Sequence, residues 1–81
     1  MKLPRDFSGG QLAKLLSRYG YVVVRQSGSH LRLTRTTPDG EFHLSIPAHR
    51  SLKVGTLGDI LKEASAQLGL EYADLLRELF G

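Results

Sequence analysis

Tyr21-Val22-Val23-Val24-Arg25-Gln26, Ser27-Gly28-Ser29-His30-Leu31-Arg32-Leu33-Thr34-Arg35 and Glu41-Phe42-His43-Leu44-Ser45-Ile46-Pro47 decide how this chain folds. The first run is rich in β-branched valine, which suits a pleated, half-buried surface. Ser27-Gly28 predicts a tight two-residue turn, and Thr37-Pro38-Asp39-Gly40 a second, because Pro presets one central residue and Gly accepts a positive φ. Pro47 stops the third run, since it cannot donate to a strand ladder. Strands over 21–26, from 29 or 30 to 35, and over 41–46 then form an antiparallel meander.

The turns set the expected register, and register decides which side chains share a face. With Ser27-Gly28 as the loop, Arg25 should oppose His30, Val23 should oppose Arg32 and Val24 should oppose Leu31. With Pro38-Asp39 central in the second turn, Thr34 should oppose His43, Arg32 should oppose Ser45, and His30 should face roughly Pro47. Val22, Val24, Leu31, Leu33, Phe42, Leu44 and Ile46 are thereby assigned to the core face. Tyr21, Val23, Arg25, His30, Arg32, Thr34, Glu41, His43 and Ser45 make up a polar, basic face open to a ligand.

Outside the sheet, Ser8 and Gln11 form a capping box, and Phe7 with Leu12 a hydrophobic staple. Leu12, Leu15, Leu16 and Tyr19 follow at the spacing of one helical face, and Gly20 supplies a left-handed stop. After a loop over 48–55, Thr56 and Asp59 read as the cap of a second helix. Its buried stripe is Leu57, Ile60, Leu61, Ala64 and Leu68, and Gly69 ends it. Tyr72, Leu75, Leu76 and Leu79 give a short third helix with Glu71, Asp74, Arg77 and Glu78 outside. The expectation is one α+β domain over 1–81, helix, three strands and two helices, with the helices on one face of the meander.

Eighty-one residues leave room for one core of modest stability. The absence of cysteine rules out a disulfide scaffold, a Cys-type zinc site and a thiol nucleophile, and fits a reducing cytoplasm. The longest apolar run is 21–24, so neither a membrane span nor an export signal is read. Charge is uneven: residues 1–58 carry nine Lys/Arg against three Asp/Glu, and residues 59–81 carry two against five. A basic body with an acidic tail suggests a polyanionic partner for the body.

His30, His43 and His49 are not spaced as metal ligands, and there is neither a phosphate-binding glycine loop nor a nucleophile elbow. No metal and no cofactor are expected. His30 lies on the open basic face, and imidazole exchanges protons near neutral pH, so it can serve as a general acid or base. Read locally, a surface histidine in a hairpin is the commoner case, and local physics alone does not settle it. His43 is expected about 13 Å further along the strands, at roughly 3.3 Å per residue, too far to share one phosphate with His30. Arg25, Arg32, Arg50 and Lys53 read as phosphate binders or solvated charges, and His49 as a loop residue able to approach His30.

Gly20-Tyr21 through Ser27-Gly28-Ser29-His30, then Ile46-Pro47-Ala48-His49-Arg50-Ser51-Leu52-Lys53-Val54-Gly55-Thr56-Leu57 and Ile60-Leu61, closely resembles the HicA (YcfA-like) mRNA interferase toxins of HicA–HicB toxin–antitoxin systems. The likeness runs from Leu3-Pro4-Arg5 through the second helix. It implies a fold like a double-stranded-RNA-binding domain. It also implies a metal-independent endoribonuclease acting on mRNA, with His30, from Gly-Ser-His, as the catalytic residue. A HicB-like antitoxin protein would cover that site. Leu31 and Gly58 depart from the common pattern, at positions where a polar or aromatic residue and a basic one are frequent. Cleavage by internal transesterification needs a base, an acid and cations to hold charge on phosphorus. Beside His30, the residues suggest Arg25 and Arg32 for charge, Ser29 for a hydrogen bond to phosphate, and His49, Lys53 or water as the second proton carrier. A non-catalytic RNA-binding module using the same face is the rival reading, and an interaction adaptor a third.

Overall fold

The computed structural model describes residues 3–81. Ser8 opens α1 (Gly9–Leu16): its hydroxyl accepts the Gln11 N–H at 3.0 Å, and the Gln11 side chain accepts the Ser8 N–H at 2.9 Å. Two otherwise orphaned donors are thus satisfied reciprocally. A 3-10 turn over Ser17–Tyr19 ends at Gly20, whose φ of 92° is the left-handed stop. Then come β1 (Val22–Ser27), β2 (His30–Thr37) and β3 (Gly40–Pro47), hydrogen-bonded in the order β1-β2-β3 and antiparallel throughout.

The β2–β3 register is the expected one, with Thr34 opposite His43, Arg32 opposite Ser45 and His30 opposite Pro47. The β1–β2 register is not. Arg25 lies opposite Arg32, Gln26 opposite Leu31 and Ser27 opposite His30. The central turn residues are therefore Gly28 and Ser29, with Gly28 at φ 60° in the first central position. A hairpin turn of that kind needs a positive φ only there, which glycine provides and Ser27 would not. Sliding the pairing by two residues keeps Arg25 on its expected face.

A bulge between Val23 and Arg25 then reverses the residues before it, placing Val23 opposite Leu33 and Val22 opposite Thr34. Tyr21, assigned to the open face, is 1% exposed in the core, and its hydroxyl donates to Gln67 Oε1 at 2.6 Å. Val22 and Val24, assigned to the core, are 60% and 59% exposed. Burying a tyrosine ring removes far more apolar surface from water than burying a valine, and the bonded hydroxyl carries no desolvation penalty. The bulge secures that exchange.

Leu33, Leu44 and Ile46 from the sheet pack with Leu12 and Leu16 of α1 in one cluster. Leu57, Ile60, Leu61 and Ala64 of α2 (Val54–Leu68) and Leu75, Leu76 and Leu79 of α3 (Tyr72–Phe80) complete it. Each fully buried leucine contributes about 1.5–3 kcal/mol of transfer free energy. All the helices therefore lie on one face. Phe42, expected in the core, is half-buried at the margin. α2 begins earlier than its predicted Thr56 cap: Lys53 is the capping position, and the Leu57 N–H bonds to the Lys53 carbonyl at 2.9 Å. That closes a further turn and shortens the preceding loop to 48–53.

α3 is tied back to the amino-terminal half. The Tyr19 hydroxyl donates to Glu78 Oε1 at 2.5 Å, and the rings of Phe7 and Phe80 meet edge to face at 5.6 Å. Burial, and then the Glu78 hydrogen bond and charge, push the Tyr19 phenol up to about 12. Between pH 10 and about 12 the unfolded chain loses a proton that the folded chain keeps, so stability should fall across that window and be intact below it. Urea midpoints measured from pH 9 to 12 should decline, and less steeply in Tyr19→Phe. Tyr21, raised by burial, contributes in the same direction.

Candidate active site

The loop over 48–53 determines what gathers around His30. His30 is exposed at the first position of β2, between Ser27 on β1 and Pro47 on β3. Past Pro47 the chain is held at three points. The Ala48 N–H donates to the Ser29 carbonyl at 2.6 Å, the Gly9 N–H to the His49 carbonyl at 3.0 Å, and the Leu52 N–H to the Phe7 carbonyl at 2.7 Å. Leu52 is buried, so the loop is also anchored in the core. Ser51 adds a bond from its hydroxyl to Asp6 Oδ1 at 3.3 Å, with Asp6 at φ 55°, a conformation aspartate tolerates.

This clamp explains Gly9. A Cβ there would fall inside contact distance of the Pro47 carbonyl oxygen, so only glycine lets α1 approach the loop this closely. His49, Arg50 and Lys53 are exposed on a backbone fixed at the end of the sheet where His30 begins its strand. Ser29 is exposed in the turn, its carbonyl engaged by Ala48.

Arg25 and Arg32 sit further along the open face. They face each other across β1 and β2 and line, with Val24, Thr34 and His43, a shallow recess of about 450 Å³. Directly opposed like charges destabilise a strand pair. Among the described residues no ion pair relieves them: the pairs present are Asp74–Arg77 at 3.0 Å and His43–Glu41 at 3.9 Å, the latter only when the imidazole is charged. Arg50 and Lys53 are likewise without an acidic partner there. Such a surface gains free energy from a bound polyanion. His43 is held by Thr34, Oγ1 to Nδ1 at 3.1 Å, four pairs along from His30, about 13 Å at 3.3 Å per residue. Among the described residues no three His, Cys, Asp or Glu side chains gather as a metal site.

A family model described as the HicA toxin of bacterial toxin–antitoxin systems matches residues 9–66, from the start of α1 to near the end of α2. The chain belongs to the HicA toxin family. Membership implies a cognate antitoxin as partner. No curated protein and no solved structure matches the chain. No helix among the described residues is long and apolar enough to cross a membrane.

In this member of the HicA toxin family α3 lies beyond the matched segment, and its Tyr72 approaches Gly58. A Cβ there would stand 3.4 Å from Leu3 Cδ1 and 3.5 Å from the Tyr72 hydroxyl, which is ordinary van der Waals contact. Arg25, expected opposite His30, lies two pairs further along, and Ser27 stands opposite His30 instead. Gly9 is not among the expected site residues. The signal was the Gly9-Gly10 pair just inside a capped helix, where one glycine is already costly.

Proposed function

We propose that this chain is the toxin of its toxin–antitoxin pair, a cytoplasmic, metal-independent endoribonuclease that cleaves mRNA through His30 and is silenced by a HicB-like antitoxin. Family membership supports the toxin role. The observation that carries the chemistry is an exposed histidine at a braced strand end, continuous with the opposed Arg25 and Arg32 and flanked by His49, Arg50 and Lys53.

The substrate 2′-oxygen attacks phosphorus as a base removes its proton, the bond to the 5′-oxygen breaks, and an acid protonates the departing oxygen. A 2′,3′-cyclic phosphate and a free 5′-hydroxyl result. His30 serves as base or acid, with His49, Lys53 or water making the other transfer. Arg25, Arg32 and Arg50 hold the phosphates, and the Ser29 hydroxyl donates to one of them.

The length of the basic face beyond His30 favours a second reading, a module that binds RNA without cutting it. Incubating purified chain with mRNA in excess EDTA separates the two. Cyclic-phosphate ends are expected. Intact RNA that nevertheless binds, with affinity falling steeply as salt rises, would leave the binding module standing.

A further inference from the structure

Three of the large hydrophobic side chains exposed among the described residues follow one another on one strand: Val22 (60%), Val23 (46%) and Val24 (59%). That strand, β1, is an edge of the sheet. The other edge is partly covered, because Gln67 Nε2 donates to the His43 carbonyl at 2.9 Å. No corresponding bond reaches β1 from a helix among the described residues. An exposed hydrophobic edge turns every second backbone N–H and C=O outward and is a template for a further strand.

Beside this edge, on the helix side, runs a groove of about 410 Å³ between β1 and α1, bordered by Ala13, Lys14, Ser17, Val23 and Leu31. An added strand would send alternate side chains into that groove and over Val22 and Val24. Charge around it has one sign. Lys14 on α1 borders the groove, Arg18 stands in the 3-10 turn that follows α1, and Arg25 lies on the open face of β1; all three are exposed and have no acidic partner among the described residues. Two copies of this edge would meet basic to basic, so a second copy of the chain is the wrong occupant.

We infer that β1 is the docking strand for an extended acidic segment of the antitoxin, which adds to the sheet as a fourth strand with apolar side chains in the α1 groove and carboxylates toward Lys14 and Arg25. The inference rests on the toxin–antitoxin reading above. Main-chain pairing would supply affinity and the alternating side chains specificity. Silencing would follow, because Arg25 would then be engaged by protein and withheld from RNA.

The test uses the full chain and, as probe, the protein encoded by the adjacent reading frame of its operon. In the complex, amide hydrogen exchange over 22–26 should slow at least about tenfold, as new strand pairing requires. Val23→Glu and Lys14→Glu should each weaken the complex about tenfold or more, and Val23→Thr less than about threefold, because a like charge repels where an isosteric side chain does not. The free Val23→Glu chain should keep the circular dichroism and RNA activity of the wild type. A tight complex with unchanged exchange over 22–26 and unchanged affinity in both charge variants overturns this docking and leaves the toxin–antitoxin reading intact. No complex with the wild type overturns both. Dimerisation of the free chain that Val23→Glu abolishes overturns the assignment to an acidic partner.

Discussion

His30→Ala is expected to reduce RNA cleavage by about 10²–10⁴-fold, the usual contribution of a positioned acid or base, and to abolish growth arrest on expression in cells. Stability should change by no more than about 0.5 kcal/mol, because the ring is exposed and makes no hydrogen bond within the described residues. A fall in activity without a fall in urea midpoint therefore identifies a chemical role. His43→Ala is the matched comparison. It lies on the same face about 13 Å away, and its loss should cost cleavage less than about tenfold. Equal growth of cells expressing wild type and His30→Ala, with mRNA equally intact, would sink the catalytic assignment.

Gly9→Ala is expected to destabilise the chain by about 2–4 kcal/mol, read from the urea midpoint. The new methyl group meets the backbone of Pro47 rather than a flexible side chain, so α1 and the loop must part. Parting them also loses the Gly9 N–H bond to the His49 carbonyl. Against the marginal stability of so small a domain, that is a large fraction of the total. Cleavage should fall as well, at temperatures where the variant remains folded, since the loop carries His49, Arg50 and Lys53. Gly10→Ala, one residue on, provides the contrast. A Cβ there meets only Ser8 Oγ at 3.9 Å, and alanine in a helix should stabilise by about 0.5–1 kcal/mol. Equal stability of Gly9→Ala and Gly10→Ala would mean that the helix and the loop do not brace each other.

How much of the site was legible depended on whether its determinants were local. His30 could be placed at a strand start because Gly28 and Pro47 bracket it, and both act through their own backbone restrictions. The β2–β3 pairing was legible for the same reason: Thr37-Pro38-Asp39-Gly40 fixes one turn and hence one register. The clamp on the loop over 48–53 was not legible. It consists of backbone bonds between residues 19 to 45 positions apart in the chain, and side-chain identity does not encode them, apart from a glycine where α1 touches Pro47.

The sequence by itself determined the order of elements, the Ser8 capping box, the one-sided packing of the helices, the basic body and the open face on which His30 and Arg32 stand. Caps, turns and hydrophobic spacing act over a few residues, and the chain states them directly. Only the tertiary structure decided the two faces of β1. Three consecutive valines have no alternation to read, so the choice passed to Tyr21, whose ring gains most from the core and whose hydroxyl finds Gln67 across the domain. The bulge that this choice requires exposes Val22 and Val24, keeps Arg25 opposite Arg32, and makes β1 an apolar edge beside a basic face.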